Sequence, residues 1–145
     1  MCLAVGKAYG LPTVALRYFN GYGPRQSLNN PYTVVCAIFS ARIKNEKPPL
    51  IFEDGRQMRD FISVHHIVNA NIAAMKLARS NYEVFNVGTG RATNIIDIAS
   101  TLARLYNKTS SPEVTHKYRA GDTRHCFADI SKRGRTGVLH RNAER

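Results

Sequence analysis

The stretch Leu16–Gln26, LRYFNGYGPRQ, joins an apolar segment to a polar turn. Its first residues end the segment TVALRY (13–18), whose β-branched and aromatic side chains predict a buried strand. Glycine, asparagine and proline residues follow and predict a loop over residues 20–31. Two aromatic rings, an amide and a guanidinium thus lie close together in sequence at the end of one predicted strand. The rest of the sequence is needed to identify the ligand that they would bind.

The remainder of the chain alternates between helix-like and strand-like segments. Apolar residues at helical spacing predict helices over residues 2–9, 33–45, 64–79 and about 93–106. Segments rich in strand-forming residues predict strands over residues 50–53, 59–63, 83–87 and 113–118. Alternation of this kind predicts an α/β layered domain.

Three details of these helices are specific enough to be tested. Gly10 is predicted to terminate the first helix, with Pro12 just beyond it. Thr93 is predicted to cap the last helix, with Asp97 near the positive end of its dipole. The helix over 64–79 is predicted to present apolar side chains at Ile67, Val68, Ile72, Met75 and Leu77.

Composition narrows the class of protein. The chain has 145 residues, 43% of them hydrophobic, but no apolar run approaches the ~20 residues that a membrane span needs. Three widely spaced cysteines do not form a disulfide framework, and no secretory signal is recognisable. We therefore expect a cytoplasmic protein that does not bind a membrane or a metal.

The net charge of +11 leaves two classes of anionic partner open. The basic residues are spread along the chain, which suits a small anionic ligand as well as a polymer. A nucleic-acid binder would need a recognition helix or interleaved aromatic and basic residues, and neither pattern is present. We therefore expect no nucleic-acid partner.

Motifs for nucleotide cofactors are incomplete in this sequence. The nearest match to a dinucleotide fingerprint is Gly88-Thr-Gly90, which lacks the third glycine and is more typical of a tight strand-to-helix turn. The sequence contains no Tyr-x-x-x-Lys and no Gly-x-Ser-x-Gly. No complete catalytic motif is therefore recognisable in the chain.

Polar residues beside the predicted strands indicate an anion-binding site instead. Arg59 and Arg119 lie where a predicted strand begins or ends, Arg25 follows the Gly-Pro turn, and arginine binds phosphate oxygens through two parallel hydrogen bonds. Asn20 could bind a phosphate or a sugar hydroxyl. Each arginine taken alone is more often a solvated surface charge, and aromatic residues such as Tyr18 and Phe19 more often fill a core.

Four blocks of sequence resemble one known family, the NAD-dependent epimerases and dehydratases of nucleotide sugars, which are extended short-chain dehydrogenases. They occur in the family's order and spacing, and they cover most of the chain. The blocks are GLPTVALRYFNGYGPRQ (10–26), IFEDGRQMRDFISVHHIVNANIAAM (51–75), EVFNVGTGRATNIIDIA (83–99) and YRAGDTRHCFADISK (118–132). The resemblance is to the C-terminal half of a UDP-glucose 4-epimerase-like protein.

The resemblance implies roles for six residues. It implies that Tyr18 and Phe19 lie near the nicotinamide of NAD, and that Asn20 contacts the substrate beside its diphosphate. It implies that Arg59 grips the diphosphate, that Arg119 binds at the nucleotide end, and that Asp122 positions Arg119. No catalytic residue is assigned, because the tyrosine and lysine that transfer the proton in the family have no counterpart in this chain.

The resemblance also implies a division of the chain and a function. Residues 1–19 resemble a remnant of the NAD-binding Rossmann domain, residues 20–131 the region that binds the nucleotide diphosphate sugar, and residues 132–145 a divergent basic tail. A full-length parent is expected to be a homodimeric enzyme that uses NAD as an epimerase. The alternatives are part of a 4,6-dehydratase and a non-catalytic sugar-nucleotide binder, and the chain alone is expected to be inactive.

Overall fold

A computed structural model of the chain describes residues 1–27, 34–76, 78, 81–118 and 121–132. The helices in these ranges are α1 (Cys2–Ala8), α2 (Val35–Lys44), α3 (Val64–Lys76) and α4 (Ile95–Leu105). The strands are β1 (Ala15–Tyr18), β2 (Asn20–Tyr22), β3 (Leu50–Ile51), β4 (Met58–Arg59), β5 (Phe61–Ser63), β6 (Val84–Val87), β7 (Thr93–Asn94), β8 (Glu113–Val114) and β9 (His125–Cys126). Their alternation confirms the predicted α/β class. None of the helices within these ranges is long and apolar enough to cross a membrane.

The strands pair mainly in parallel, as expected when helices connect them. β1 pairs with β6, β2 with β5, and β3 with β8, all in parallel. β4 lies between β7, which is antiparallel to it, and β9, which is parallel. These pairings bring the strand ends after Tyr18 and Val87 side by side.

The predicted loop over residues 20–31 is wrong at its start, because Asn20–Tyr22 form β2. The register pairs Asn20 with Phe61 and Tyr22 with Ser63, so backbone hydrogen bonds to a distant segment override the local glycine signal. Residues 28–31 lie outside the described residues. The pairing places Asn20 beside the RDFI segment, which local sequence patterns could not reveal.

Other predicted strands are shorter than expected. The segment 59–63 is divided at Asp60, which lies between β4 and β5. Of the predicted strand 113–118 only Glu113–Val114 pairs, and β9 (His125–Cys126) carries no signal that sequence reasoning recognised. Two-residue strands of this kind are defined by their partners rather than by a pattern of their own.

The helix ends give one confirmation and one correction. Gly10 has a φ of 65°, and the Leu11 N–H donates to the Gly6 carbonyl at 2.8 Å, which confirms the predicted stop after α1. Thr93 does not cap α4, because it pairs with Arg59 in β7. The cap is Asn94, whose Oδ1 accepts from the Asp97 N–H at 2.7 Å.

One hydrophobic cluster joins α2 to α4 and is called here the α2–α4 cluster. Its buried members are Phe39, Ile43, Ile51, Ala99 and Ala103. Small alanines on α4 let the helix approach the larger side chains of α2 closely. Burial of each large side chain contributes about 1.5–3 kcal/mol, so this cluster supplies much of the stability of the fold.

A second, smaller group is called the α3 cluster and consists of buried Ile62, Ala70 and Val87. Ile67 packs against it, as predicted for the apolar face of this helix. By contrast, Val68, Ile72 and Met75 are exposed by 49%, 44% and 86%. Leu77 lies outside the described residues. The helix therefore turns its alanines and Ile67 toward the interior and leaves Val68, Ile72 and Met75 on the surface.

Candidate functional site

A cavity of about 290 Å³ lies beside the α2–α4 cluster. Its apolar wall comes from α2, β3 and the start of α4, and its polar residues come from β2, β4 and two loops. The polar lining residues are Asn20, Glu53, Gln57, Arg59 and Asp122. The apolar ones are Val34, Val35, Ile38, Phe39, Leu50, Ile51, Phe52, Phe61 and Ile95. An apolar wall with a few convergent polar groups is the usual construction of a small-molecule site.

Arg59 carries the positive charge in this lining. Its side chain is only 13% exposed, and its Nη2 donates to Asp122 Oδ1 at 2.9 Å. Its Nη1 donates to the backbone carbonyls of Arg124 at 2.8 Å and Met58 at 2.9 Å. These bonds hold the guanidinium in one orientation at the cavity, where an anion could take the place of the half-exposed Asp122 carboxylate.

Asn20 reaches the same cavity by strand pairing. Its backbone N–H donates to the Asp60 carbonyl at 3.0 Å, and β2 runs parallel to β5. Arg59 lies one residue before Asp60, so Asn20 and Arg59 line the same cavity although they are far apart in sequence. The structure thus brings together three of the predicted substrate-binding residues: Asn20, Arg59 and Asp122.

The loop that carries Asp122 is attached to the cavity wall by ion pairs. Arg124 Nη1 lies 2.7 Å from Glu53 Oε2, and its Nη2 lies 2.7 Å from Asp54 Oδ2. The hydrogen bond from Arg124 holds the pKa of Asp54 below its usual range, and the hydrogen bond to Asp54 raises the pKa of Arg124. The two ion pairs attach Arg124, two residues after Asp122, to the cavity wall.

Gln57 supports the opposite wall. It is 6% exposed, and its Nε2 donates to the Phe52 carbonyl at 2.8 Å, which fixes the turn that presents the Phe52 ring. Its Oε1 has no hydrogen-bond partner in the described part of the chain. Gln57 lines the cavity, and its hydrogen bond to Phe52 assigns it to the support of this turn.

Two of the predicted positively charged residues do not join this cavity in the described structure. Arg25, with a φ of 67°, lines a second cavity of about 650 Å³ together with Tyr22, Lys44 and Tyr106. Arg119 lies outside the described residues. Of the two predicted arginines that the structure describes, Arg59 lines this cavity with Asn20, and Arg25 does not.

The two predicted cofactor-binding residues lie at the end of β1. Tyr18 is 50% exposed, and its hydroxyl donates to Asn71 Oδ1 at 2.8 Å. The Phe19 N–H donates to the Val87 carbonyl at 3.2 Å, which continues the pairing of β1 with β6. The first contact fixes the position of the Tyr18 ring and the second that of the Phe19 backbone, and the proximity of the two rings to a nicotinamide stays a prediction.

Sequence reasoning missed Asp60, which is completely buried. Its carboxylate accepts hydrogen bonds from the Thr89 and Gly90 N–H groups, both at 2.8 Å. The Gly-x-Gly turn thus binds a carboxylate of its own chain, so its N–H groups do not fit a cofactor phosphate. The signal in the sequence is a single acid between strand residues in MRDFIS.

Comparison with known proteins agrees with this architecture. A model of the NAD dependent epimerase/dehydratase family matches residues 1–88. The dTDP-L-rhamnose 4-epimerase of Burkholderia thailandensis is 37% identical over 121 residues, which cover 83% of this chain and 33% of the relative. The UDP-glucuronate 4-epimerase of Thermodesulfobacterium geofontis is 37% identical over 125 residues, 86% of this chain and 36% of the relative.

Solved structures show the same relation. The UDP-glucose 4-epimerase of Thermotoga maritima, solved with UDP-glucose, has a TM-score of 0.82 and 35% identity and covers 90% of this chain. The UDP-N-acetylglucosamine 4-epimerase of Methanobrevibacter ruminantium, solved with UDP-N-acetylmuramic acid, has a TM-score of 0.81 and 39% identity. The chain spans 41% of each of these two structures. The fold is thus part of an extended short-chain dehydrogenase, and the chain belongs to the NAD dependent epimerase/dehydratase family.

Proposed function

We propose that this chain is the sugar-nucleotide-binding portion of an NAD-dependent nucleotide-sugar epimerase related to UDP-glucose 4-epimerase. The observation that carries the proposal is the meeting of Arg59 and Asn20 in one cavity with a largely apolar wall. A nucleotide sugar has matching parts: a doubly charged diphosphate, hydroxyl groups and a flat base.

The diphosphate is assigned to Arg59. A phosphate offers oxygens at the spacing of two guanidinium N–H groups and carries more charge than the Asp122 carboxylate. Asp122 is half-exposed, so water can solvate it when a ligand displaces it from Arg59. The exchange replaces one ion pair with another and leaves no buried charge without a partner.

The base is assigned to the apolar wall. Phe52, from the turn that Gln57 supports, lines the cavity together with Ile51 and Ile38. A pyrimidine ring gains free energy from contact with an aromatic face and aliphatic side chains. Asn20 then lies on the same side of the cavity as Arg59, where its amide can bind a sugar hydroxyl or a phosphate oxygen.

NAD is assigned to the parent protein on the strength of the family. When bound, it would accept a hydride from the sugar. Among the described residues the only groups that we assign beside it are Tyr18 and Phe19, because the Gly88–Gly90 turn already binds Asp60. The parent is proposed to act as a homodimer.

Two alternatives keep specific support. A plant trifunctional protein that includes a UDP-glucose 4,6-dehydratase is 28% identical to this chain over 146 residues, which supports a dehydratase portion. The absence of Tyr-x-x-x-Lys from this sequence supports a binder without activity. Since proton transfer and correct orientation each contribute several orders of magnitude to the rate, we expect no turnover of UDP-glucose by this chain with added NAD.

The test is isothermal titration calorimetry of the chain with UDP-glucose. We expect Arg59→Ala to weaken binding by ~1.5–3 kcal/mol, the contribution of a hydrogen bond to a charged group. Arg56→Ala is the matched control, because Arg56 is exposed and lies outside the cavity lining. Absence of binding by the unmodified chain, or equal affinities for the two variants, would contradict the proposal.

A further inference from the structure

Asp60 is a buried acid whose carboxylate is saturated with hydrogen bonds. Oδ1 accepts from the Thr89 N–H at 2.8 Å and from the Thr89 hydroxyl at 2.6 Å. Oδ2 accepts from the Gly90 N–H at 2.8 Å and from the Ala128 N–H at 3.3 Å. The acid therefore ties together three segments that are distant in sequence.

The turn around the carboxylate is built to fit it. A Cβ atom added at Gly88 would lie 2.5 Å from Asp60 Oδ2 and 2.6 Å from the Ala128 Cβ. Both distances are shorter than real Cβ atoms allow, so a larger residue would displace the carboxylate. Gly88, Thr89 and Gly90 thus form a carboxylate socket, the name used below for these three residues.

The backbone of Asp60 connects the socket to the cavity. Its carbonyl accepts from the Asn20 N–H at 3.0 Å, and its own N–H donates to the Cys126 carbonyl at 3.1 Å. Arg59 and Phe61, on either side of it, both line the cavity. Side chains alternate along extended backbone, so anchoring Asp60 on one face orients Arg59 on the other.

We propose that Asp60 is a positioning residue for the anion-binding site: the carboxylate socket holds it, and through it sets Asn20 and Arg59 in the geometry that binds a diphosphate. This inference rests on the proposed function for its ligand. β2, β4 and β9 converge on Asp60. These strands place Asn20, Arg59 and the loop that carries Asp122. Loss of a hydrogen bond to a charged group typically changes an equilibrium constant about 10- to 100-fold.

The experiment compares binding of UDP to folded variants of the chain by titration calorimetry. Thr89→Val keeps the side-chain volume and removes the hydroxyl donor to Asp60, whereas Thr89→Ser retains that donor. Thr109→Val makes the same chemical change at an exposed position that lines neither cavity and is the matched control. Asp60→Asn should have a larger effect on affinity, because the asparagine side chain places its own N–H donors against the N–H groups of the socket. Asp97→Asn makes the same change at an exposed position and is its control.

We expect Thr89→Val to raise the Kd for UDP about tenfold, Thr89→Ser to restore affinity and Thr109→Val to leave it unchanged. Amide hydrogen exchange of the ligand-free variants gives a second readout. It should rise at Asn20 in Thr89→Val and stay unchanged in α2 and α4, whereas a general loss of stability would raise exchange throughout.

The proposal is overturned if folded Thr89→Val binds UDP as the unmodified chain does, or if its faster exchange is confined to residues 88–90. Lack of UDP binding by the unmodified chain would instead contradict the proposed function. In that case exchange at Asn20 decides the positioning role: a rise in Thr89→Val supports it, and no change refutes it.

Discussion

The α2–α4 cluster and the helix α3 differ in the size of the side chains that they bury. In the former, Phe39, Ile43 and Ile51 are at most 1% exposed. In the latter, the helix contributes only alanines to the buried set, while Met75 remains 86% exposed. One region of the chain closes its own core, and the other presents apolar surface to the solvent.

This contrast separates two uses of hydrophobic residues. The closed region carries the wall of the cavity, so its rigidity serves ligand binding. The open region has an apolar stripe of Val68, Ile72 and Met75, which recur at the spacing of one helix face. A stripe of this kind marks a surface for association. The relatives are more than twice as long as this chain, and we propose that the remainder of such a parent covers the stripe.

The largest expected difference between the two regions is in the free energy of unfolding. Ile43→Ala removes a fully buried side chain from α2 and should lower the free energy of unfolding by ~2–5 kcal/mol. Ile72→Ala is the same substitution on the open face of α3 and should cost less than ~1 kcal/mol. Urea unfolding followed by circular dichroism measures both. Equal losses would show that α3 is packed as tightly as α2.

Thiol reactivity should also differ between the closely packed helix α2 and the exposed surface. Burial raises the pKa of Cys36, on α2, to about 11, whereas Cys2, on α1, is exposed. Only the thiolate reacts with iodoacetamide, so a rise of two pKa units above 9.0 makes Cys36 about a hundredfold less reactive near pH 8. Peptide mapping of the alkylated chain over time measures the two rates. Labelling of Cys36 as fast as Cys2 would contradict the closed packing of α2.

The smallest effect is expected on association. Because the α3 stripe is exposed, we expect the chain to self-associate, and Met75→Lys to weaken association by ~1 kcal/mol, or about fivefold in the constant. Leu105→Lys is the control, since Leu105 is 69% exposed on a different helix, α4. Sedimentation velocity of the two variants distinguishes them. Loss of association in Leu105→Lys alone would place the association surface on α4.

Local signals predicted the elements well where the backbone decides the outcome. Gly10 terminated α1 because only the left-handed conformation closes that helix end, and this requirement is readable from one glycine. Helical periodicity likewise located α2 and α4 to within two residues at each end. The four blocks of sequence identified the family, which the comparisons confirmed.

Long-range pairing set the limit of prediction. Asn20–Tyr22 look like a loop and become a strand because β5 is adjacent. Thr93 looks like a cap and becomes a strand residue because β4 is adjacent, so Asn94 caps the helix instead. The role of Asp60 could not be predicted from its neighbours in sequence, because its four hydrogen-bond donors come from segments far along the chain. Tertiary partners of this kind cannot be read from neighbours in sequence.

The most direct test of the binding site is a titration of the ¹⁵N-labelled chain with UDP, followed by amide chemical shifts. The alternative location is the second cavity, where Arg25 and Lys44 also supply positive charge. We expect the largest shifts at Asn20, Phe52 and Arg59, and none at Lys44. Shifts centred on Lys44 and Tyr106, or no shifts at millimolar UDP, would contradict the assignment of the Arg59 cavity as the sugar-nucleotide site.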